Sequence, residues 1–142
     1  MNGNAELLNY VYQNSEMGVE TIGHLNEIAE DNEFKEQLKS QFKEYKKINQ
    51  TAKELLNENN FDEKEISSFA KVRTYLMINM QTLTNKTSSH IAEMLIVGST
   101  MGVIEAIKKI KEYSNAEKKI LSLMKDLLKF EEDNINTLKQ YL

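Results

Sequence analysis

Apolar side chains recur every three or four residues along nearly the whole chain, and no stretch alternates in the way of a β-strand. This spacing is typical of helices that bury one face. Proline is absent, so nothing forces an early break in any of these helices. The pattern predicts an all-α protein that forms one domain over residues 1–142.

Two long helices are predicted at the start of the chain. The first runs from about Ala5 to Glu30, and the second begins at Asp31 or Asn32 and ends at the turn-forming segment 57–60. The apolar stripe of the first helix consists of Leu7, Leu8, Val11, Gly18, Ile22, Leu25 and Ala29.

Two further helix starts carry the pattern of a capping box, in which the first side chain and the fourth each bond to the other's backbone N–H. Asp62 followed by Glu65 predicts that the third helix begins at Asp62. Ser114 followed by Glu117 predicts that the last helix begins at Ser114.

The polar segment 84–89 decides the number of helices. A helix that continued through it would form one rod from Asp62 to Tyr113, far longer than its neighbours. A break or kink there gives four to five helices of about 25 residues, as a compact bundle requires. Because the loops are short, we expect an antiparallel up-down bundle.

The segment Ile91–Ile107 is apolar almost all the way round a helix. Gly98, Gly102 and Ala106 line up along it at four-residue spacing, which permits close helix packing. We therefore expect this helix to lie in the middle of the molecule, covered by its neighbours or by another copy.

Charge and composition limit the kinds of partner and the cellular location that we expect for this protein. The net charge is −4, and Lys and Glu alternate along the chain, so we expect no nucleic-acid surface. The apolar segment is shorter than the roughly 20 residues of a membrane span and contains Glu93 and Glu105, so no span is expected. The first ten residues lack the order of a signal peptide, which makes a cytoplasmic location the default.

Two stretches resemble ferritin-like helical bundles. Residues 15–56, SEMGVETIGHLNEIAEDNEFKEQLKSQFKEYKKINQTAKELL, look like the first helical hairpin of that group. Residues 129–142, KFEEDNINTLKQYL, are similar to its last helix, where a Glu sits centrally. The likeness is closest to poorly characterised members without assigned activity, including spore-coat-like proteins, and it implies a ferritin-like bundle.

The resemblance does not extend to the iron site. Ferritin-like di-iron centres use Glu on two helices and Glu-x-x-His on two others. This chain has two histidines, and neither follows a Glu by three residues. Iron storage and oxidase activity are therefore not expected from the resemblance.

Glu131 is the first candidate site residue, because it falls inside the core stripe of the last helix. A buried carboxylate requires a hydrogen-bonding partner or a metal. Glu131-x-x-Asn134 also stands where the family pattern has Glu-x-x-His. Two interpretations remain: an altered metal-ligand site, or a core-edge Glu satisfied by a neighbouring side chain.

Arg73, the only arginine, lies on the apolar face of the third helix. A guanidinium pairs bidentately with a carboxylate and tolerates partial burial. We expect a structural ion pair from Arg73 to Glu131 first, and to Glu93 second.

His90 and Glu93 share one helical face at i, i+3. Together with Glu131 they form the candidate metal set. The ordinary interpretation is a His at a helix start and a Glu that pairs with Lys.

No motif in the sequence names a reaction. We expect a non-enzymatic bundle without a cofactor, which acts through a homodimer or another protein partner. The alternative is a metal-binding ferritin-like protein that holds iron, manganese or zinc at an atypical carboxylate site. A third alternative is a small apolar ligand in the Met-rich interior.

Overall fold

The computed structural model describes residues 3–142, apart from the side chain of Ser68. These residues form an all-α helical bundle of five helices without a strand, as the periodicity predicts. The helices are α1 (Asn4–Ile28), α2 (Asn32–Glu58), α3 (Ser67–Gln81), α4 (Ser88–Glu112) and α5 (Lys118–Leu138), followed by a short 3-10 turn (Lys139–Tyr141).

The start and end of α2 agree with the sequence prediction. The Asp31 carboxylate accepts a hydrogen bond of 2.8 Å from the Phe34 N–H and so caps the helix. At the other end Asn60 adopts a left-handed conformation, with φ of 55°. The turn is closed by a hydrogen bond of 2.9 Å from the Phe61 N–H to the Leu56 carbonyl.

The predicted break between the third and fourth helices is confirmed. Helix α3 ends at Gln81, and α4 begins at Ser88. The Thr87 hydroxyl caps α4 by accepting a hydrogen bond of 3.2 Å from the His90 N–H.

The predicted start of α3 is wrong. The helix begins at Ser67 and has 15 residues, because residues 61–66 are not helical. Side chains of α1 bind the backbone of this segment, and those long-range hydrogen bonds replace the local capping box from Asp62 to Glu65.

The predicted start of α5 is wrong for a similar reason. The helix begins at Lys118 and has 21 residues. The Glu117 N–H, which in the capping box would donate to the Ser114 hydroxyl, instead donates a hydrogen bond of 2.9 Å to the side-chain oxygen of Asn4.

Helix α1, and not α4, occupies the middle of the molecule. It packs against α2, α3, α4 and α5. Every residue from Leu7 to Ser15 is buried, including the polar residues Asn9, Gln13 and Asn14. Because several of these buried residues are polar, the pattern of apolar residues in the sequence does not indicate that α1 is the central helix.

The other helices of this chain do not cover α4 on every side, and cover by another copy stays a prediction. Gly98, Gly102 and Ala106 are buried, but Val97, Ile104 and Ile107 on the other side are exposed. Apolar composition identifies a helix that requires cover without identifying what covers it.

Candidate functional site

Glu131 lies in the centre of the bundle, only 3% exposed. Its Oε1 accepts a hydrogen bond of 2.8 Å from Nδ2 of Asn14, on α1. Its Oε2 accepts one of 3.2 Å from the hydroxyl of Tyr45, on α2. The carboxylate therefore joins three helices that are distant in sequence.

Burial raises the pKa of Glu131 to about 7, because the charged form is poorly solvated in the interior. Hydrogen bonds from Asn14, Tyr45 and Ser99 oppose this rise by stabilising the carboxylate. The pKa of the Tyr45 hydroxyl is raised by burial and by the neighbouring carboxylate, so it remains a donor at neutral pH.

Gly102 makes room for this cluster. A Cβ on Gly102 would lie 3.1 Å from Oε1 of Glu131 and 3.3 Å from Nδ2 of Asn14. The Gly102 carbonyl also accepts a hydrogen bond of 2.6 Å from Tyr10. At this point α4 closely approaches a polar cluster formed by side chains of α1 and α5.

Gly98 and Ala106 contribute differently to the packing of α4. A Cβ on Gly98 would come within 2.8 Å of Cδ2 of Leu76, which brings α3 close to α4. Ala106 is fully buried. The small residues at four-residue spacing thus all lie on the inner face of α4.

A cavity of about 30 Å³ adjoins Glu131, between Gly18, Gln41 and Ser99. Two buried polar atoms of residues that line it, Oγ1 of Thr21 and Nε2 of Gln41, have no hydrogen-bond partner among the residues that the structure describes. A cavity of this size has room for one or two water molecules, and these two polar atoms lie among mostly apolar lining side chains. It is too small for the apolar ligand considered from the sequence.

The predicted ion pair between Arg73 and Glu131 is not formed. The Arg73 guanidinium lies 3.6 Å from Glu65 and donates a hydrogen bond of 3.3 Å to Gln13. It also lies over the ring of Phe69, 5.5 Å from the centroid. Arg73 is thus held at the surface between α1 and α3, while neutral donors satisfy Glu131.

His90, Glu93 and Glu131 do not come together as a metal site. His90 is half-buried in the first turn of α4, Glu93 is exposed, and Glu131 is enclosed. Across residues 3–142, no three His, Asp or Glu side chains form a group suited to a metal ion. Around Glu131, an amide N–H and a hydroxyl point at the carboxylate oxygens, so the residues present do not fit a di-iron centre.

Asn9 and Gln13 are important residues that the sequence did not single out. Asn9 accepts a hydrogen bond of 2.8 Å from the Lys64 N–H and donates one of 3.3 Å to the Asp62 carbonyl. Gln13 accepts one of 3.1 Å from the Ile66 N–H and donates to the Lys64 carbonyl. The two amides, one helical turn apart, bind the backbone of residues 62–66 much as a neighbouring strand would. Neither belongs to the apolar stripe predicted for α1, since both lie on its opposite face, so no sequence pattern marked them as buried.

Among the described residues, the outer face of α4 carries three exposed large apolar side chains, more than any other helix. Val97 is 39% exposed, Ile104 is 48% exposed and Ile107 is 38% exposed. An apolar row of this kind on a protein surface marks an interaction site more often than an isolated apolar residue does.

By length and composition α4 is also the one helix, within residues 3–142, that passes the test for a membrane span. Core helices pass the same test, and about two fifths of its apolar window is buried within this molecule.

No protein-family model, curated protein or solved structure matches this chain. The class that the coordinates define is an all-α helical bundle with one enclosed carboxylate.

Proposed function

We propose that this protein is a non-enzymatic, ferritin-like helical bundle that acts by associating with another protein chain through the outer face of α4. The observation that carries the proposal is the row of exposed apolar side chains at Val97, Ile104 and Ile107. Covering such side chains gains roughly 25 cal/mol for each Å² of apolar surface removed from water.

The surroundings of Glu131 favour a structural role for this carboxylate. It is enclosed, it already accepts two hydrogen bonds, and the adjoining cavity accommodates only water. A catalytic carboxylate would require a path for a substrate to reach it.

Contacts along the first hairpin support the up-down arrangement that we include in the proposal. Gly18 faces Tyr45, and Gly23 faces Phe42. Residue numbers thus rise along α1 while those of the facing residues fall along α2, as in an antiparallel pair. The long hairpin and the central Glu of the last helix are the features that support the ferritin-like interpretation.

The test compares the mass of the native particle with that of the single chain of 16.5 kDa. Gentle extracts of cells that produce the protein are separated by size-exclusion chromatography, and its mass is measured by light scattering. We expect a heavier particle for the natural chain and a loss of that particle for Ile104→Asp. The matched control is Leu142→Asp, which places the same charge at an apolar residue that is 62% exposed but lies outside α4. A natural chain of 16.5 kDa in the extract, or a heavy particle that Ile104→Asp leaves intact, contradicts the proposal.

A further inference from the structure

Six of the exposed residues of α4 form a regular row. They are Glu93, Val97, Thr100, Ile104, Ile107 and Lys111, which we call the α4 seam. Their spacing alternates between four and three residues, which is the spacing of a coiled-coil interface. Gly98, Gly102 and Ala106 lie on the opposite side of the helix, against the bundle.

The α4 seam is complementary to itself. In an antiparallel alignment centred on position 102, Val97 faces Ile107 of the second copy, and Thr100 faces Ile104 of the second copy. At each end Glu93 faces Lys111 of the second copy. Two-fold symmetry requires that if one residue contacts another, the reverse contact also exists, and this row satisfies that condition throughout.

The charges at the two ends are available for such contacts. Glu93 and Lys111 are both exposed, and neither forms an ion pair within residues 3–142. A parallel alignment would instead place Glu93 against Glu93 and Lys111 against Lys111, and like charges in contact disfavour it.

We infer that the occupant of the α4 seam is a second copy of this chain, docked antiparallel in the register that joins Glu93 to Lys111. This inference rests on the proposed function and names its partner.

The charge pairs provide the first test, with sedimentation of the purified protein over a range of concentrations as the measurement. Glu93→Lys alone places two lysines together at both ends, and Lys111→Glu alone places two glutamates together. Each should raise the dissociation constant about tenfold, since two exposed pairs change from attraction to repulsion. The double variant Glu93→Lys/Lys111→Glu restores opposite charges and should return the dissociation constant close to its original value. Circular dichroism verifies that each variant remains helical.

The register provides the second test, which is direct because the chain contains no cysteine. Thr100→Cys protein and Ile104→Cys protein are purified separately, mixed and oxidised. The antiparallel register predicts a disulfide between the two different variants. A parallel dimer would instead link Thr100→Cys to itself.

Each outcome counts for or against the inference. A purified natural chain that stays monomeric at millimolar concentration overturns it, and so does a dimer that is indifferent to the charge exchange or links in the parallel pattern. If the purified chain is monomeric while the native particle is heavy and sensitive to Ile104→Asp, the proposed function stands and only the identity of the partner is wrong.

Discussion

Asn14 of α1 donates a hydrogen bond of 2.8 Å to Glu131 of α5, which lies 117 positions later in the chain. The donor is neutral, so it orients the carboxylate without neutralising its charge. The pKa of Glu131 consequently remains raised, at about 7, by burial. The protein thus contains a central acid whose protonation changes near neutral pH.

Glu131 should make the bundle less stable as the pH rises. Its pKa in the folded state exceeds the ordinary value of 4.5, so the folded chain binds the proton more tightly than the unfolded chain. The stabilising contribution is complete below pH 4.5 and is lost as the pH rises through about 7, a change of about 3 kcal/mol. Urea unfolding of the natural chain and of Glu131→Gln, at intervals from pH 4.5 to 8.5, measures this change. We expect the glutamine variant to become the more stable of the two as the pH rises, and a constant difference between them would contradict the raised pKa.

Asn14→Ala should raise the pKa of Glu131 further, because it removes the hydrogen bond that most opposes the effect of burial. The loss of stability should then continue to a higher pH, so the midpoint of the curve of stability against pH moves upward. The same substitution made in Glu131→Gln provides the control, since that background has no acid to titrate. An equal pH dependence of the Asn14→Ala effect in both backgrounds would show that Asn14 acts on another group.

Gly18→Ala should destabilise the protein, while Gly23→Ala in the same helix should not. A Cβ at position 18 would lie 2.5 Å from the ring of Tyr45. That ring is rigid, and its hydroxyl is held by a hydrogen bond to Glu131. We expect a loss of about 1–3 kcal/mol in the free energy of unfolding, as for other overpacked sites. At Gly23 the nearest atom would be 3.3 Å away, in Phe42, which is half-buried. Alanine favours helix there, so equal losses at the two positions would contradict the close approach of Gly18 to Tyr45.

Gln13→Ala should loosen the segment before α3. It leaves the Ile66 N–H and the Lys64 carbonyl without their partner, which costs about 1–3 kcal/mol when such groups are buried. Amide exchange should accelerate most at Ile66, and urea unfolding should register the loss of stability. Gln50→Ala is the matched control, because Gln50 is exposed and its change should stay within about 0.5 kcal/mol. Unchanged exchange at Ile66 would contradict the role given to Gln13.

The sequence was sufficient to predict the structure where interactions between neighbouring residues determine it. Helical periodicity, the start of α2 at Asp31 or Asn32 and the polar break after α3 depend on neighbouring residues, and all three predictions are confirmed. The burial of Glu131 also followed from its place on the apolar stripe of α5.

The sequence was insufficient where distant side chains compete with local signals. Asp62 and Glu65 have the right spacing for a cap. In the structure, however, Asn9 and Gln13 bind the Lys64 and Ile66 N–H groups in place of a local cap. The partner of Glu131 could not be found by pairing opposite charges, because its partners are the neutral side chains of Asn14 and Tyr45.

The enclosed position of α1 has a consequence for synthesis of the chain on the ribosome. Of the five helices, α1 leaves the exit tunnel before the others, and its polar side chains bind residues 62–66 and Glu131. The Asn14 amide must therefore stay hydrated until residue 131 has emerged. Nascent chains halted before residue 131 should consequently remain sensitive to protease throughout α1, and the interior should close in a late, concerted step.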